Sequence, residues 1–251
     1  MTLLRDATVV LRRQVRLNLR NPAWVLLGVA QPILYLVLFA PLLGPIADQI
    51  GVENAYTFFV PGLVVQMGLF GALYVGFNLL AEWREGVVEA ERVTPASRGA
   101  LLLGRLGRDV LQLGIQCLIL VGAGYVMGMD APVAGALAGV GIALLLGAAG
   151  SALSNAVALR TRSEEVMAPL VNVVTMPVLL LSGILLPMTL GPGWLRTVSD
   201  VMPVRHVVDA VRDVFSGTPS APTVGLGVGV TCAMLVAGLT VGVLAFRRED
   251  A

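Results

Sequence analysis

Apolar residues run through this chain in six long blocks, separated by shorter polar stretches. The blocks are 23–43, 58–80, 101–129, 133–159, 166–186 and 224–246. Each holds about 20 residues or more, enough for a helix to cross a hydrocarbon core about 30 Å thick. The runs are continuous and lack the period-two alternation of a barrel strand, so they predict helices, whose backbone groups are satisfied within each segment. The expected fold is an all-α membrane protein with six transmembrane helices. No run carries Asp, Glu, Lys or Arg near its centre. Polar residues inside the runs are few: Gln66, Asn78, Gln112, Gln116 and Ser151, then Ser154, Asn155, Asn172, Thr175 and Ser182. They serve either as interhelical hydrogen bonds or as polar points along a path through the bundle. Pro32 and Pro177 are expected to interrupt spans one and five. Gly135–Gly139, Gly225–Gly229 and Gly238–Gly242 have the small-xxx-small spacing that lets helices approach closely.

Three segments are amphipathic instead of uniformly apolar. In residues 1–22, Arg5, Arg12, Arg13, Arg16 and Arg20 fall on one arc of a helical wheel. Leu3, Leu4, Ala7, Val10, Leu11 and Val15 fall on the other, which predicts a helix lying on a membrane surface. The loop Ala81–Arg98 mixes Glu82, Glu85, Glu89 and Glu91 with Arg84, Arg92 and Arg98. Trp83, Val87 and Val88 give it a small apolar face, and Pro95 ends its helix, so it reads either as a docking helix or as a solvated linker. In Pro187–Pro222, Val204, Val207, Val208, Val211, Val214 and Phe215 recur at helical spacing. Arg205, Asp209, Arg212 and Asp213 take the other positions, and Trp194 stands where an interfacial aromatic would. Short helices dipping into or lying on the outer leaflet are expected there, able to roof a cavity between subunits.

Charge then orients the spans. All 17 basic residues are arginine. With six spans, 14 arginines fall on one side, and only Arg196, Arg205 and Arg212 on the other. Positive residues stay cytoplasmic, so both termini, including the tail 247–251, are placed inside. The basic stretch before span one and the full length of that span argue against a cleaved signal peptide. Composition agrees: 57% of residues are apolar, 13% are charged against about 25% in soluble domains, and the mean hydropathy is +0.85. Cys117 and Cys232 both lie in apolar runs and read as packing residues, not as a disulfide or metal pair.

Several chemistries lack their residues. A midplane carboxylate or buried arginine for ion-coupled transport is not evident. No Gly-rich phosphate loop ending in Lys-Ser or Lys-Thr is present, so the chain is not expected to hydrolyse ATP. The single histidine, His206, has no nucleophile motif beside it, and no metal-ligand spacing occurs.

The order of these features resembles the permease subunit of type-2 ABC transporters, in particular the daunorubicin-resistance-like permeases of actinobacteria. Three stretches carry the likeness. The basic N-terminus runs into Arg20-Asn21-Pro22; residues 86–105 read GVVEAERVTPASRGALLLGR; and residues 176–215 hold Ser182-Gly183, Pro187, Trp194-Leu195, Pro203 and Asp209-Ala210-Val211-Arg212. The family commonly has a bulky or polar residue where this chain has Val204-Arg205-His206, which is a departure in the outer segment.

The resemblance implies a bacterial plasma-membrane exporter permease, working as a homodimer or with a sister chain, beside two copies of a separate ATPase that binds ATP and Mg. It implies that Glu85, Val88, Glu89, Glu91, Arg92, Thr94, Pro95 and Arg98 form the coupling helix, and that Arg5, Arg12, Arg13 and Arg16 belong to an interface helix. A substrate path lined by spans one, two and five is expected to use Gln66, Asn78, Asn172, Met176 and Ser182. Leu186, Pro187, Trp194, Pro203, Asp209 and Arg212 would form an outer gate. The implied cargo is a hydrophobic or amphipathic drug, antibiotic or lipid; nucleic acid is not expected as a partner. A secondary carrier and a non-transporting assembly protein are the alternatives.

Overall fold

A computed structural model describes residues 23–43, 54–87 and 98–247. Among the described residues only helices and turns occur, and six helices are long and apolar enough to cross a membrane. They are α1 (Ala23–Leu43), α2 (Ala55–Arg84), α3 (Arg98–Val126), α4 (Val133–Thr161), α5 (Glu164–Leu181) and α8 (Ala221–Arg247). Between α5 and α8 lie a single 3-10 turn (Met188–Leu190), α6 (Gly193–Val201) and α7 (Pro203–Phe215).

The six-span expectation holds, with three differences that have local causes. α2 has 30 residues, about 45 Å at 1.5 Å per residue, and takes in Ala81–Arg84, which was expected to belong to the loop. It stops where Gly86 turns into the left-handed region (φ 73°). α5 ends at Leu181, five residues before its apolar run does, because Gly183 is also left-handed (φ 73°) and turns the chain toward α6. α1 and α5 run through Pro32 and Pro177 without ending; a proline in a spanning helix is tolerated when neighbours re-satisfy the freed carbonyl.

α2 is the centre of the bundle, packed along α4 and flanked by α1, α3, α5 and α7. Lipid tails are as apolar as leucine, so helices in a membrane gain little from apolar contact alone and rely on close fit. Small residues provide it. A Cβ on Gly68 would lie 2.8 Å from the Ala143 carbonyl oxygen, and one on Gly76 would lie 2.7 Å from that of Ser154. The Ser154 hydroxyl bridges the same contact, donating to Leu73 O (2.6 Å) and accepting from Gly76 N (3.0 Å). Gly135 and Gly139 fit against Val214 and the Phe215 ring, so the first small-xxx-small pair seats α7 on α4. Gly225 and Gly229 face open space instead; between them, Gly227 meets His206 and Ala210 of α7.

The outer valines have a different destination from the expected one. Val204, Val207, Val208, Val211, Val214 and Phe215 are buried in the main core of their own chain, where α7 packs on α4, α8 and α2. That face does not lie on lipid. At the same end, Asn54 caps α2 by accepting from Tyr56 N (2.9 Å) and Thr57 N (3.2 Å), and its amide donates to Gly128 O (2.8 Å). Thr57 and Asp130 exchange two further bonds, which fasten α2 to the α3–α4 turn.

Candidate functional site

A cavity of about 540 Å³ lies inside the bundle, within the range of small-molecule sites. α2 contributes Gln66, Met67, Phe70, Tyr74 and Asn78 to its wall; α1 contributes Leu27, Gln31 and Tyr35. α3 adds Asp109, Gln112 and Gln116, α4 adds Ser151, and α5 adds Asn172, Thr175 and Met176. Leu27 and Met176 are 66% and 63% exposed, so the cavity opens on the side between α1 and α5.

Four of the five residues expected on a substrate path therefore meet here: Gln66, Asn78, Asn172 and Met176. Ser182 does not. It caps the end of α5, buried, with its hydroxyl directed to Leu179 O at 3.4 Å. The wall also draws on α3 and α4, beyond the expected spans one, two and five. Gln66 is only 1% exposed, and its side-chain oxygen has no hydrogen-bond partner; the buried Thr175 hydroxyl is likewise unpartnered.

The expectation of no buried arginine is overturned, and a carboxylate reaches the cavity beside it. Asp109 is the twelfth residue of the 29-residue α3 and reaches the cavity. Its carboxylate accepts from Ser151 Oγ (2.6 Å) and from Arg108 (Nη2 at 2.9 Å, Nε at 3.0 Å). Arg108 also bonds Glu82 Oε1 (3.3 Å), and Glu82 Oε2 pairs with Arg105 at 2.9 Å. Arg105 is 3% exposed. One network thus runs from the end of α2 through one face of α3 to α4 and the cavity wall. Period arithmetic on the apolar run misses it because two arginines and an aspartate at the start of the run read as flanking charge. The signal was the spacing Arg105, Arg108, Asp109, which one helical face can hold.

The end of α2 is tied to the α4–α5 turn as well. Arg162 stacks on the Trp83 ring at 4.6 Å, and Arg84 pairs with Glu164 at 3.1 Å. Of the residues expected to couple, Glu85 is the cap of α2 and Arg98 opens α3. Val88, Glu89, Glu91, Arg92, Thr94 and Pro95 lie outside the described residues, as do Arg5, Arg12, Arg13 and Arg16.

At the opposite end the expected gate residues separate into two groups. Leu186 and Trp194 are exposed, the latter 69%; Pro187 starts the 3-10 turn, and Pro203 occupies the first turn of α7. Asp209 accepts from Arg205 at 3.2 Å. Arg212 is half-buried and turns in from the polar face. It donates to Gly183 O (2.8 Å) and Ile184 O (3.1 Å), with its guanidinium 3.9 Å from the Phe58 ring centroid. Burial pulls its pKa down to about 10, Arg205 acts in the same direction and Asp209 opposes it, so it stays a cation at neutral pH. Ser199 completes the joint, donating to Leu181 O (2.5 Å) and accepting from Arg205 (2.6 Å).

The described helices form a multi-pass membrane bundle with a lined, side-opening cavity between them. The ABC-2 type transporter family matches residues 5–216, and the chain belongs to that family. It is 28% identical over 227 residues to the daunorubicin resistance ABC transporter permease protein DrrB1 of Streptomyces coeruleorubidus, covering 89% of this chain and 79% of that one. Over 226 residues it is 25% identical to a Mycobacterium tuberculosis protein named "Probable doxorubicin resistance ABC transporter permease protein DrrC", covering 87% of this chain and 82% of that one. Nodulation protein J of Rhizobium meliloti is 25% identical over 237 residues, with 90% and 87% covered. Permeases of this family work with an ABC ATPase subunit.

Proposed function

We propose that this chain is the membrane half of an ATP-driven exporter, and that the cavity between α1 and α5 is where its amphipathic cargo enters. The observation that carries the reading is the cavity itself: room for a drug-sized molecule, open sideways, and walled by amides and aromatic rings together. Two copies of this chain, or one copy and a sister chain, face each other across α1 and α5, whose outward residues are apolar and thinly covered. Two ATPase subunits hold ATP and Mg on the cytoplasmic side, and both termini of the permease lie on that side, at the bacterial plasma membrane.

Coupling follows from the network. The loop through Glu89, Glu91 and Arg92 docks on the ATPase, with the N-terminal helix of Arg5, Arg12, Arg13 and Arg16 beside it. Movement of that loop reaches α2 and α3 together, because Glu82 joins them through Arg105 and Arg108. Arg108 passes it to Asp109 and so to the cavity wall. α6 and α7 form the outer gate, re-entering the bundle with Arg212 as their anchor.

The test is reconstitution of the permease with its ATPase in lipid. ATP hydrolysis stimulated by amphipathic compounds, with ATP-dependent movement of the same compounds, is expected. A second reading, a proton-coupled carrier, is favoured by one observation, the Asp109 carboxylate inside the bundle. Movement driven by a pH gradient without ATP would select it over the first.

A further inference from the structure

Asn155 of α4 is a polar side chain that the ion-pair network does not use. It is 1% exposed, and neither its amide nitrogen nor its carbonyl oxygen has a hydrogen-bond partner. A buried carboxamide in that condition destabilises the protein, whereas a leucine there would leave no polar atom unsatisfied. The helix register shows which group it can serve. α3 and α4 run antiparallel across a short turn, with Asp109 bonded to Ser151 and Leu113 packed on Gly147. A step of four residues back along α3 is thus matched by a step of four forward along α4. The next step sets Arg105 level with Asn155. Arg105 holds Glu82 of α2 through one terminal nitrogen at 2.9 Å. A guanidinium carries five N–H donors in a fixed fork, so it can keep Glu82 and also donate to a carboxamide oxygen. Such a bond has a charged donor and is stronger than one between neutral groups.

The fastening of α2 to α4 determines where movement is possible. Ser154 holds Leu73 O and Gly76 N, and Glu82 lies beyond that point, toward the 88–97 loop. The joined ends of α2 and α3 can swing against α4 about Ser154, and Asn155 is the next residue of α4. We infer, on the coupling reading above, that Asn155 is a positioning residue of the ATP-driven step: unpartnered in this structure, it receives a hydrogen bond from Arg105 when the ATPases draw the α2–α3 end onto α4. Arg105 keeps Glu82 throughout, and satisfying the Asn155 oxygen favours the moved state.

The test compares the permease–ATPase complex in lipid nanodiscs in two states, nucleotide-free and trapped with Mg-ADP and vanadate. Asn155→Leu loses no bond in the first state and one in the second. Its melting temperature is expected to match or exceed that of the wild type when nucleotide-free and to fall by several degrees when trapped. The vanadate concentration for half-trapping should rise roughly tenfold, the size of one hydrogen bond from a charged donor. Asn155→Ala leaves a cavity that costs the same in both states, so the difference between states still reads the bond where leucine disturbs folding. In an Arg105→Met background, where Glu82 retains Arg108, Asn155→Leu should have no further effect on trapping.

A melting shift equal in the two states, with half-trapping at the wild-type concentration, would overturn the inference and leave Asn155 a packing residue. A further loss of trapping in the Arg105→Met background would overturn Arg105 as its donor. Glu82→Ala separates this inference from the coupling path beneath it. Trapping impaired in Glu82→Ala but not in Asn155→Leu would overturn the role of Asn155 alone. Wild-type trapping in Glu82→Ala would overturn the path and the inference with it.

Discussion

Glu82→Ala tests whether the ends of α2 and α3 are mechanically one body. Glu82 bonds Arg105 at 2.9 Å and Arg108 at 3.3 Å, and its own side chain is 18% exposed. Removing one partner of a buried ion pair costs about 3–5 kcal/mol, since the remaining charge stays buried without compensation. The residual exposure of Glu82 puts the expectation at the lower end, about 3 kcal/mol. In a chain of this size that lowers the melting temperature by roughly 6–12 °C. Glu82→Gln keeps the volume and one acceptor and should lose about half as much. The assay is thermal unfolding of the permease in mild detergent for Glu82→Ala, Arg105→Ala and the double variant. A coupling energy of about 1–3 kcal/mol is expected, because the second substitution removes the charge that the first one stranded. In the reconstituted complex, both single variants should retain basal ATP hydrolysis and lose its stimulation by cargo. Single-variant effects that simply add, within about 0.5 kcal/mol, would refute the pairing; stimulation at wild-type level in Glu82→Ala would refute its role in coupling.

Three other outcomes follow from the same structure. Arg212→Ala releases the carbonyls of Gly183 and Ile184 and should cost about 2–4 kcal/mol, seen as faster proteolysis between α5 and α8; hydrogen bonds from a charged donor are worth about 1.5–3 kcal/mol each, in part offset by removing a buried charge. Unchanged proteolysis would argue against an anchor. Gly227→Leu, whose Cβ would approach the His206 carbonyl oxygen to 2.6 Å, should lower the melting temperature by several degrees, while Gly225→Leu, which meets nothing within 4 Å, should leave it unchanged. Glu91→Ala or Arg92→Ala should uncouple hydrolysis from transport with insertion intact; transport at the wild-type rate in reconstituted vesicles would remove the loop from the coupling path.

The number, order and placement of the spans were legible from apolar runs alone, because burial of an unsatisfied backbone in lipid is so costly that a long apolar stretch has few alternatives to helix. α1 begins and ends where its run does, and α4 nearly so. Gln66, Asn78 and Asn172 stood out for a related reason, since an amide inside an apolar run needs a partner or a cavity, and all three line the same cavity. The likeness in the outer segment also singled out Arg212 and Pro203. Tertiary structure decided where those side chains point. A helical wheel shows that the valines of α7 share a face, yet lipid and a protein groove are equally apolar, and only the glycine-lined surfaces of α4 and α8 show that the face is filled by its own chain. The ion-pair network is a second case. Arg105, Arg108 and Asp109 look like flanking charge from sequence, and they become interior residues because Glu82 and Ser151, brought over from α2 and α4, satisfy them at distances that no linear pattern encodes.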